Sequence, residues 1–306
     1  MKILVTGGAG FIGSHIVDAC IERGHQVTIV DNLSTGQRKN VHPGAMFHEV
    51  DIRDTAPLHR LMEDGRFDAV SHQAAQMNVR KSVDDPAYDA SVNLIGMLNL
   101  LEGCVRTGVR KVVFASSGGA IYGEQDVFPA DEAHSTRPIS PYGVAKLATE
   151  QYLFYYKAVH GIDAVSLRYA NVYGPRQNPE GEAGVVSVFA TRMLKGEPAF
   201  INGTGKQTRD YVFVGDVVRA NLFALDHSGF DCFNIGTGIE TDVIALFRKI
   251  RDLTGADVQE EHAPAKKGEQ LRSVLDHGKI SRTFGWKPEV SLEDGLRVTV
   301  DFFRKG

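Results

Sequence analysis

The chain has 306 residues, of which 42% are hydrophobic and 24% charged. These proportions are those of an ordinary globular protein, and the length suits one large α/β unit or two domains sharing a cleft. A net charge of −4, a sequence pI of about 6.3 and the lack of any run of like charges argue against binding to nucleic acid or to a membrane surface. There is no apolar stretch of about 18 residues, and Met1 leads straight into a glycine loop. We therefore expect a cytoplasmic protein without a membrane segment or signal peptide.

Cysteine and histidine are not spaced as metal ligands. Cys20, Cys104 and Cys232 are far apart and form no CxxC motif, and the eleven histidines form no HExxH motif. This pattern indicates buried thiols in a reducing compartment and predicts no metal site.

The first half of the chain alternates between strands and helices. Strands are predicted at residues 3–5, 26–30, 47–50, 69–71, 111–115 and 164–167, and helices at about 11–23, 86–106 and 141–160. The two long helices start with Asp85-Pro86 and Ser140-Pro141, an N-cap followed by proline, and each stops near a glycine. Such alternation predicts an α/β fold with a doubly wound parallel sheet of the Rossmann type.

The second half is less regular. Helices are predicted near residues 185–195, 216–226, 241–254, 279–284 and 292–303, the last with a capping box made by Ser291 and Asp294. We predict an NAD-binding domain over residues 1–170, to which residues of about 211–236 return. A smaller α+β substrate-binding domain is expected mainly over residues 171–306.

A glycine-rich loop follows the first strand. In TGGAGFIG the glycines Gly7, Gly10 and Gly13 form a GxxGxxG pattern between a strand and a helix. A loop without side chains lets backbone N–H groups approach a pyrophosphate, and the N-terminus of the next helix adds partial positive charge. This loop, with Phe11 and Ile12, is predicted to bind a dinucleotide.

The end of the second strand predicts which dinucleotide is bound. Asp31 can accept both hydroxyls of an adenosine ribose, whereas it would repel a 2′-phosphate. This favours NAD over NADP; the alternative is an aspartate that is merely solvated at a strand end. Asp51 and Ile52, after the third strand, are placed near the adenine.

A Tyr-x-x-x-Lys pair opens the second long helix. Tyr142 and Lys146 are four residues apart and share one helix face. A phenol with a pKa of about 10 is a poor base at neutral pH, but a nearby ammonium and a positive nicotinamide ring favour the phenolate. Such a tyrosine can accept a hydroxyl proton while hydride leaves the same carbon. The alternative is an ordinary pair on the helix surface.

Seven segments carry a family resemblance. In chain order they are TGGAGFIG, DNLSTG, HQAAQ, FASSGGAIYGE, SPYGVAK, LRYANVYGPRQ and RDYVFVGDV. Together they resemble the extended short-chain dehydrogenase/reductase family across essentially the whole chain, and within it the bacterial UDP-glucose 4-epimerases.

The resemblance implies further site residues. Those expected at the NAD cofactor, besides the glycine loop, Asp31 and the Tyr-Lys pair, are Asn32, Ser34, Thr35, Gly36, Asp51, Ile52, Gln73, Ala74, Ala75, Asn93, Ser116 and Tyr169. Those expected at the substrate are Gln76, Ser117, Tyr142, Asn171, Val185, Val186, Phe200, Asn202 and Arg209. Arg209 resembles the arginine that clamps the UDP diphosphate, and residues 200–202 resemble the segment that borders the uracil.

The chain departs from the family pattern at two places. Gly118 stands where many relatives have a serine before Tyr-Gly, so Ser117 is the expected catalytic hydroxyl beside Tyr142 and Lys146. Lys266-Lys267-Gly268-Glu269 stands where relatives often have a basic residue before Gly-Asp, so Lys266 or Arg272 is expected at the phosphates. Lysine lacks the bidentate fork of arginine, which predicts a looser clamp.

The activity that the resemblance implies is 4-epimerisation of a UDP-hexose, UDP-glucose or UDP-galactose, through a 4-keto sugar on tightly bound NAD, as in galactose metabolism. The N-acetyl sugars and the glucuronate/galacturonate pair stay open as substrates, and the small Ser273 is expected near the sugar's 2-substituent. A 4,6-dehydratase would need an Asp-Glu pair, and a decarboxylase a glutamate, where Gly118, Gly119 and Ala120 stand. Asp31 disfavours an NADPH-dependent reductase. The intact catalytic set disfavours a non-catalytic NAD-binding scaffold.

The two long helices are where the resembling family dimerises through a four-helix bundle. Residues 152–156, YLFYY, are apolar nearly all round the helix. That pattern suits burial on two sides, so a homodimer is expected. The alternative is a helix buried only against its own sheet.

Overall fold

The computed structural model describes residues 1–179, 184–265 and 270–305. Its strands are β1 Lys2–Thr6, β2 Gln26–Asp31, β3 Met46–Glu49, β4 Ala69–His72, β5 Lys111–Ser117, β6 Asp163–Tyr169, β7 Asn171–Tyr173, β8 Phe200–Asn202, β9 Thr208–Phe213, β10 Phe230–Ile235, β11 Glu240–Asp242, β12 Glu261–Ala263 and β13 Arg272–Ser273. Its α-helices are α1 Phe11–Glu22, α2 Thr55–Gly65, α3 Val79–Asp84, α4 Pro86–Ala90, α5 Gly96–Thr107, α6 Gly118–Ile121, α7 Pro141–His160, α8 Val185–Leu194, α9 Val214–Asp226, α10 Val243–Thr254, α11 Gly278–Phe284 and α12 Leu292–Arg304. A 3₁₀ turn covers Arg38–Asn40 and a π turn covers Ser91–Ile95.

The large sheet has the strand order β10-β6-β5-β4-β1-β2-β3. β1 pairs in parallel with both β2 and β4, and the pairs β2–β3 and β4–β5 are also parallel. The order reverses at β1, and in such sheets ligands bind beyond the carboxyl ends of the strands at the reversal. The predicted Rossmann-type α/β fold is confirmed, and the glycine loop after β1 lies at the reversal.

The local signals at the ends of α7 are confirmed. The Ser140 side chain accepts a hydrogen bond from the backbone N–H of Gly143, and Pro141 occupies the first turn. Gly161 ends the helix with a φ of 73°, a left-handed conformation that glycine adopts without steric cost. Tyr142 and Lys146 therefore lie in the first two turns of a well-capped helix.

The prediction of one continuous helix over residues 86–106 is wrong in one detail. It is interrupted by the π turn Ser91–Ile95 between α4 and α5. Within that turn the Asn93 side chain exchanges two hydrogen bonds of 2.9 Å with the backbone of Gln76, which draws this part of the helix toward the loop after β4. Helical periodicity in a sequence does not reveal such a contact, and π turns are frequent at functional sites.

The chain divides into two compact units, and each has its own core. The first comprises residues 1–121, 136–168 and 218–233 and the second residues 122–135, 169–217 and 234–306. In the first unit, apolar side chains of the sheet pack against α2 and α5, with Leu58, Val70 and Leu100 fully buried. In the second unit, β7, β9, β11 and β13 form one sheet, and α8, α10 and α12 share a core around Phe247 and Leu296. The Ser291 hydroxyl accepts the backbone N–H of Asp294, as expected for the start of α12.

No helix within the described residues is long and apolar enough to cross a membrane. In the same ranges, no group of three or more histidine, cysteine, aspartate or glutamate residues is arranged to hold a metal ion.

Candidate active site

The glycine loop between β1 and α1 is a cradle that side chains would fill. Gly7 has a φ of +70°, and a Cβ there would lie 2.6 Å from the backbone nitrogen of Ala74. A Cβ on Gly13 would lie 2.1 Å from the carbonyl oxygen of Gly7. Gly10 caps α1 without a side chain, so the first N–H groups of the helix have no side-chain acceptor. This arrangement fits the pyrophosphate of a dinucleotide.

Asp31 ends β2 beside this cradle and is only 7% exposed. Its carboxylate accepts the backbone N–H of Ala9 at 3.0 Å and of Leu33 at 2.8 Å. Burial raises the pKa of Asp31, and the two N–H bonds oppose that rise. A Cβ on Gly36 would lie 2.8 Å from both carboxylate oxygens, so the chain passes close to them. Since an ionised carboxylate has about four acceptor positions, it has capacity left for ribose hydroxyls.

Asn32 and Asp51 connect the carboxyl ends of β2 and β3. The Asn32 amide donates to Asp51 at 2.8 Å, and its oxygen accepts the backbone N–H of Ser34. Arg53 donates two side-chain hydrogen bonds to Asp51, at 3.0 and 2.7 Å, which lowers the pKa of that carboxyl well below its usual range. Ile52, predicted near the adenine, is 5% exposed and packs in the core of the first unit.

The loop after β4 is held by buried amides. The Gln76 side chain donates to the Asp89 carboxylate at 2.9 Å and to the Asn78 carbonyl at 2.8 Å, and it accepts the N–H of Asn78. Asn93 binds the same Asp89 oxygen at 2.9 Å. The side chains of Gln76, predicted at the substrate, and Asn93, predicted at the cofactor, thus hold this loop in position. Gln73, Ala74 and Ala75 lie in the same loop.

The predicted catalytic residues are brought together. Lys146 Nζ donates to the carbonyl of Ala115 at 2.8 Å and lies 5.6 Å from the ring centre of Tyr142. The Ser117 hydroxyl lies near enough to the Tyr142 phenol to lower the pKa of that phenol. One hydroxyl, one phenol and one ammonium therefore meet where β5 ends and α7 begins.

Burial is the main influence on the pKa of Tyr142. Burial raises that pKa, Asp89 raises it further, and the Ser117 hydroxyl opposes the rise. Burial lowers the pKa of Lys146 to about 8, against the attraction of Asp89 and Glu150. Lys146 is not among the groups that lower the pKa of Tyr142, so a base at this position needs positive charge beside the ring.

Two predicted cofactor residues face the protein interior. Ser116 is 3% exposed, and its hydroxyl donates to Glu150 at 2.6 Å. Tyr169, at the end of β6, is 6% exposed. Any contact of Ser116 with a cofactor is therefore left to its backbone.

In the second unit, three predicted substrate residues lie on one small sheet. Asn171 on β7 is paired with Tyr211 of β9, and Arg209 of β9 is paired with Ser273 of β13. Arg272 precedes Ser273 on β13. The sheet thus gathers an amide and two guanidinium-bearing residues on neighbouring strands.

Arg272 already has an anionic partner. Its guanidinium donates to Glu240 at 2.5 and 3.1 Å and stacks on the Phe128 ring at 3.7 Å. Glu240 raises the pKa of the guanidinium. A phosphate bound by Arg272 would have to share the guanidinium with Glu240. Lys266, the other predicted phosphate ligand, lies outside the described residues.

The other predicted substrate residues differ in exposure. Val186 is buried in the core of the second unit, and Val185 packs against that core. Phe200 on β8 is 44% exposed. The backbone carbonyl of Asn202 accepts the Gln207 side chain at 3.0 Å.

Two buried carboxylates near the catalytic pair were not predicted. Asp89 is 1% exposed, and its second carboxylate oxygen has no hydrogen-bond partner within the described residues. Glu150 is also 1% exposed. Both had a signal in the sequence: Asp89 is four residues before Asn93 and Glu150 four residues after Lys146, on the same helix faces.

Comparison with known proteins places this geometry in a family. Residues 3–236 match the model of the NAD dependent epimerase/dehydratase family. The UDP-glucose 4-epimerase of Mycolicibacterium smegmatis is 43% identical over 99% of both chains. The crystal structure of UDP-glucose 4-epimerase with UDP-glucose from Thermotoga maritima is 51% identical, has a TM-score of 0.98 and covers 100% of this chain and 99% of that one.

A relative that is named for another substrate is also similar. The UDP-N-acetylglucosamine 4-epimerase from Methanobrevibacter ruminantium, solved with UDP-N-acetylmuramic acid, is 35% identical with a TM-score of 0.92 and covers 99% and 97% of the two chains. The predictions of an NAD cofactor and of an isomerase are confirmed by these similarities. The chain belongs to the NAD dependent epimerase/dehydratase family.

Proposed function

We propose that this enzyme interconverts UDP-glucose and UDP-galactose by inverting C4 through a 4-keto sugar. The observation that carries the proposal is the contact group of Ser117, Tyr142 and Lys146 at the junction of β5 and α7. Because Gly118, Gly119 and Ala120 follow Ser117, the chain lacks the acid pair for water elimination at those positions. The relatives named above support a UDP-sugar as substrate.

The residues have separate tasks in this mechanism. NAD, when bound, supplies a reversible hydride acceptor for C4. Tyr142, as the phenolate that positive charge beside the ring favours, accepts the proton of the 4-hydroxyl and later returns it to the C4 oxygen after the keto sugar has turned over. The Ser117 hydroxyl lowers the pKa of the same phenol, and the Lys146 ammonium, anchored on the Ala115 carbonyl, adds positive charge nearby.

The second unit is proposed to hold the UDP moiety. Arg209 is the proposed diphosphate ligand, since a guanidinium can bind phosphate oxygens in a bidentate manner. Phe200 offers an exposed ring for a base to stack on, and Asn202 follows it on the same strand. Asn171 lies on the strand next to that of Arg209, and we propose that it lies near the sugar or the diphosphate.

UDP-N-acetylglucosamine is the second proposed substrate. Ser273, which the family resemblance places near the 2-substituent, has a small side chain and is 3% exposed on β13. The similarity to the Methanobrevibacter enzyme favours the same alternative. A small residue at that position leaves room for an acetamido group.

We also propose a homodimer formed through the helices that flank the active site. Ile95 and the α7 residues Tyr152, Phe154 and Tyr155 are 39–56% exposed despite their size. Tyr152 and Tyr155, three residues apart, share one face of α7, and exposed apolar side chains that share a face are typical of an interface. Sedimentation equilibrium should give twice the chain mass, and a monomer at micromolar concentration would refute the proposal.

Product analysis by NMR tests the function. Purified enzyme with NAD is incubated with UDP-glucose, UDP-N-acetylglucosamine or UDP-glucuronate, and the configuration at C4 is followed. We expect inversion of UDP-glucose, with loss of activity in Tyr142→Phe. Inversion of only the N-acetyl sugar or only the uronate would mean that this sugar nucleotide, and not UDP-glucose, is the substrate. No inversion of any of the three would refute 4-epimerisation.

A further inference from the structure

A buried ionic group lies one helical turn beyond Lys146. The Glu150 carboxylate accepts hydrogen bonds from Nε and Nη2 of Arg168, at 3.1 and 2.7 Å, and from the Ser116 hydroxyl at 2.6 Å. Glu150 is 1% exposed and Arg168 is 7% exposed. Removing two charges from water is costly, and a buried ion pair is therefore weak evidence for a role in stability alone.

On helix α7, Glu150 continues the line of catalytic residues. Tyr142, Lys146 and Glu150 are spaced four residues apart, so they lie above one another on one face of α7. That face packs against the end of β5. Each of the three side chains makes a contact there.

On the strand side, the three contacts fall on consecutive residues. The Ala115 carbonyl accepts a hydrogen bond from the lysine ammonium, the Ser116 hydroxyl donates to the glutamate, and the Ser117 hydroxyl lies near enough to the catalytic phenol to lower its pKa. The Ser116 contact is thus the central one of three. This contact involves neither Tyr142 nor Lys146.

We propose that Glu150 and Ser116 form a clamp that fixes the end of β5 against α7, and that they thereby position Ser117, Tyr142 and Lys146 for catalysis. Arg168 holds the Glu150 carboxylate in one orientation through two hydrogen bonds. Both clamp residues are positioning residues, since they act through the catalytic group. The inference rests on the proposed epimerase function, because it concerns the geometry of that reaction.

Ser116→Ala is the test variant, and Ser166→Ala is its matched control. Ser166 is a fully buried serine in the adjacent strand β6, and its hydroxyl has no hydrogen-bond partner within the described residues. Both variants lose one buried hydroxyl, but only Ser116→Ala loses a contact to Glu150. A misplacement of about 1 Å at a catalytic group costs up to about 100-fold in rate. We expect Ser116→Ala to lower kcat by about 10- to 100-fold with KM changed less than about twofold.

The control and a conservative variant separate positioning from folding. Ser166→Ala should retain the wild-type kcat, and Ser116→Thr, which keeps the hydroxyl, should recover most of the activity. In a crystal structure of the Ser116→Ala holoenzyme, the distance from Lys146 Nζ to the Ala115 carbonyl should exceed hydrogen-bonding range, compared with 2.8 Å here.

The outcomes also separate this inference from the proposed function. An inactive wild-type enzyme refutes the proposed function, whatever the variants do. An active wild type with equal kcat in Ser116→Ala and Ser166→Ala overturns the clamp. So does an unchanged distance from Lys146 Nζ to the Ala115 carbonyl in the variant structure, because activity would then have been lost by another route.

Discussion

Substitution of Gly13 by alanine tests the account of the NAD cradle, because helix propensity and packing predict opposite signs. Gly13 lies inside α1, where alanine is favoured over glycine by about 1 kcal/mol. An added Cβ, however, would lie 2.1 Å from the Gly7 carbonyl oxygen and 2.8 Å from its carbonyl carbon. The first of these is 1.3 Å short of the 3.4 Å at which ordinary contact begins. The atoms it meets belong to the backbone of a loop that cannot rotate away.

The magnitude follows from that overlap. Helix and loop have to separate by about 1 Å, and overpacking of this kind costs about 1–3 kcal/mol. For a unit of this size the melting temperature should fall by roughly 2–12 °C. The same displacement moves the N–H groups of the loop and helix, so we expect NAD affinity to fall by at least about tenfold.

Gly103→Ala is the matched control within a second buried helix. Its Cβ would lie 2.5 Å from the Met62 sulfur and 3.2 Å from the His59 ring, which are side chains outside the NAD cradle. We expect it to lose about 1–3 kcal/mol of stability through overpacking while its NAD affinity is unchanged. Differential scanning fluorimetry and calorimetric titration with NAD measure both quantities. A Gly13→Ala variant that melts at or above the wild-type temperature and binds NAD equally well would refute the close approach of loop and helix.

Three other substitutions test the catalytic group and the ion pair beneath it. Tyr142→Phe should lower kcat by at least about 100-fold while leaving NAD binding intact; a loss of less than about fivefold would mean that another group handles the proton. Lys146→Met should abolish turnover yet raise the melting temperature at pH 7 without added NAD. The reason is that the folded-state pKa of Lys146, about 8, lies below the ordinary 10.5, so that the charged lysine costs stability below pH 8. The gain, about 2 kcal/mol after loss of the bond to Ala115, should fade as the pH rises from 8 to 10.5, and a gain independent of pH would contradict the assignment. Arg168→Met should destabilise the protein by about 3–5 kcal/mol because Glu150 is left buried and unpaired, whereas Arg297→Met, at a surface pair more than half exposed, should cost less than about 0.5 kcal/mol in urea unfolding.

Local chemistry explains which parts of the fold were predictable. The Ser140-Pro141 start and Gly161 end of α7 each depend on a few adjacent residues, and the structure confirms them. The helices Thr55–Gly65 and Val79–Asp84 were not predicted. The first has no side-chain cap, and the second has six residues. The π turn depends on contacts between Asn93 and Gln76, 17 residues apart, which periodicity cannot show.

The candidate site follows the same division. The glycine loop and the Tyr142-Lys146 pair are motifs of adjacent residues, and they were predicted from their spacing. The partners of Ser116 and Arg272 lie 34 and 32 residues away, so their hydrogen bonds to Glu150 and Glu240 emerged only from the fold. The effect of burial could not be predicted from the motif either, because burial raises the pKa of Tyr142 although a lysine lies near it.

The most direct test of the central claim follows the hydrogen on C4 of the sugar. UDP-glucose carrying deuterium at C4 is incubated with the enzyme and NAD in ordinary water, and the product is examined by NMR. If C4 is oxidised and reduced within one active site, UDP-galactose should form with the deuterium retained at C4. UDP-galactose with solvent hydrogen at C4 would contradict the 4-keto mechanism, and the absence of UDP-galactose would contradict the proposed substrate.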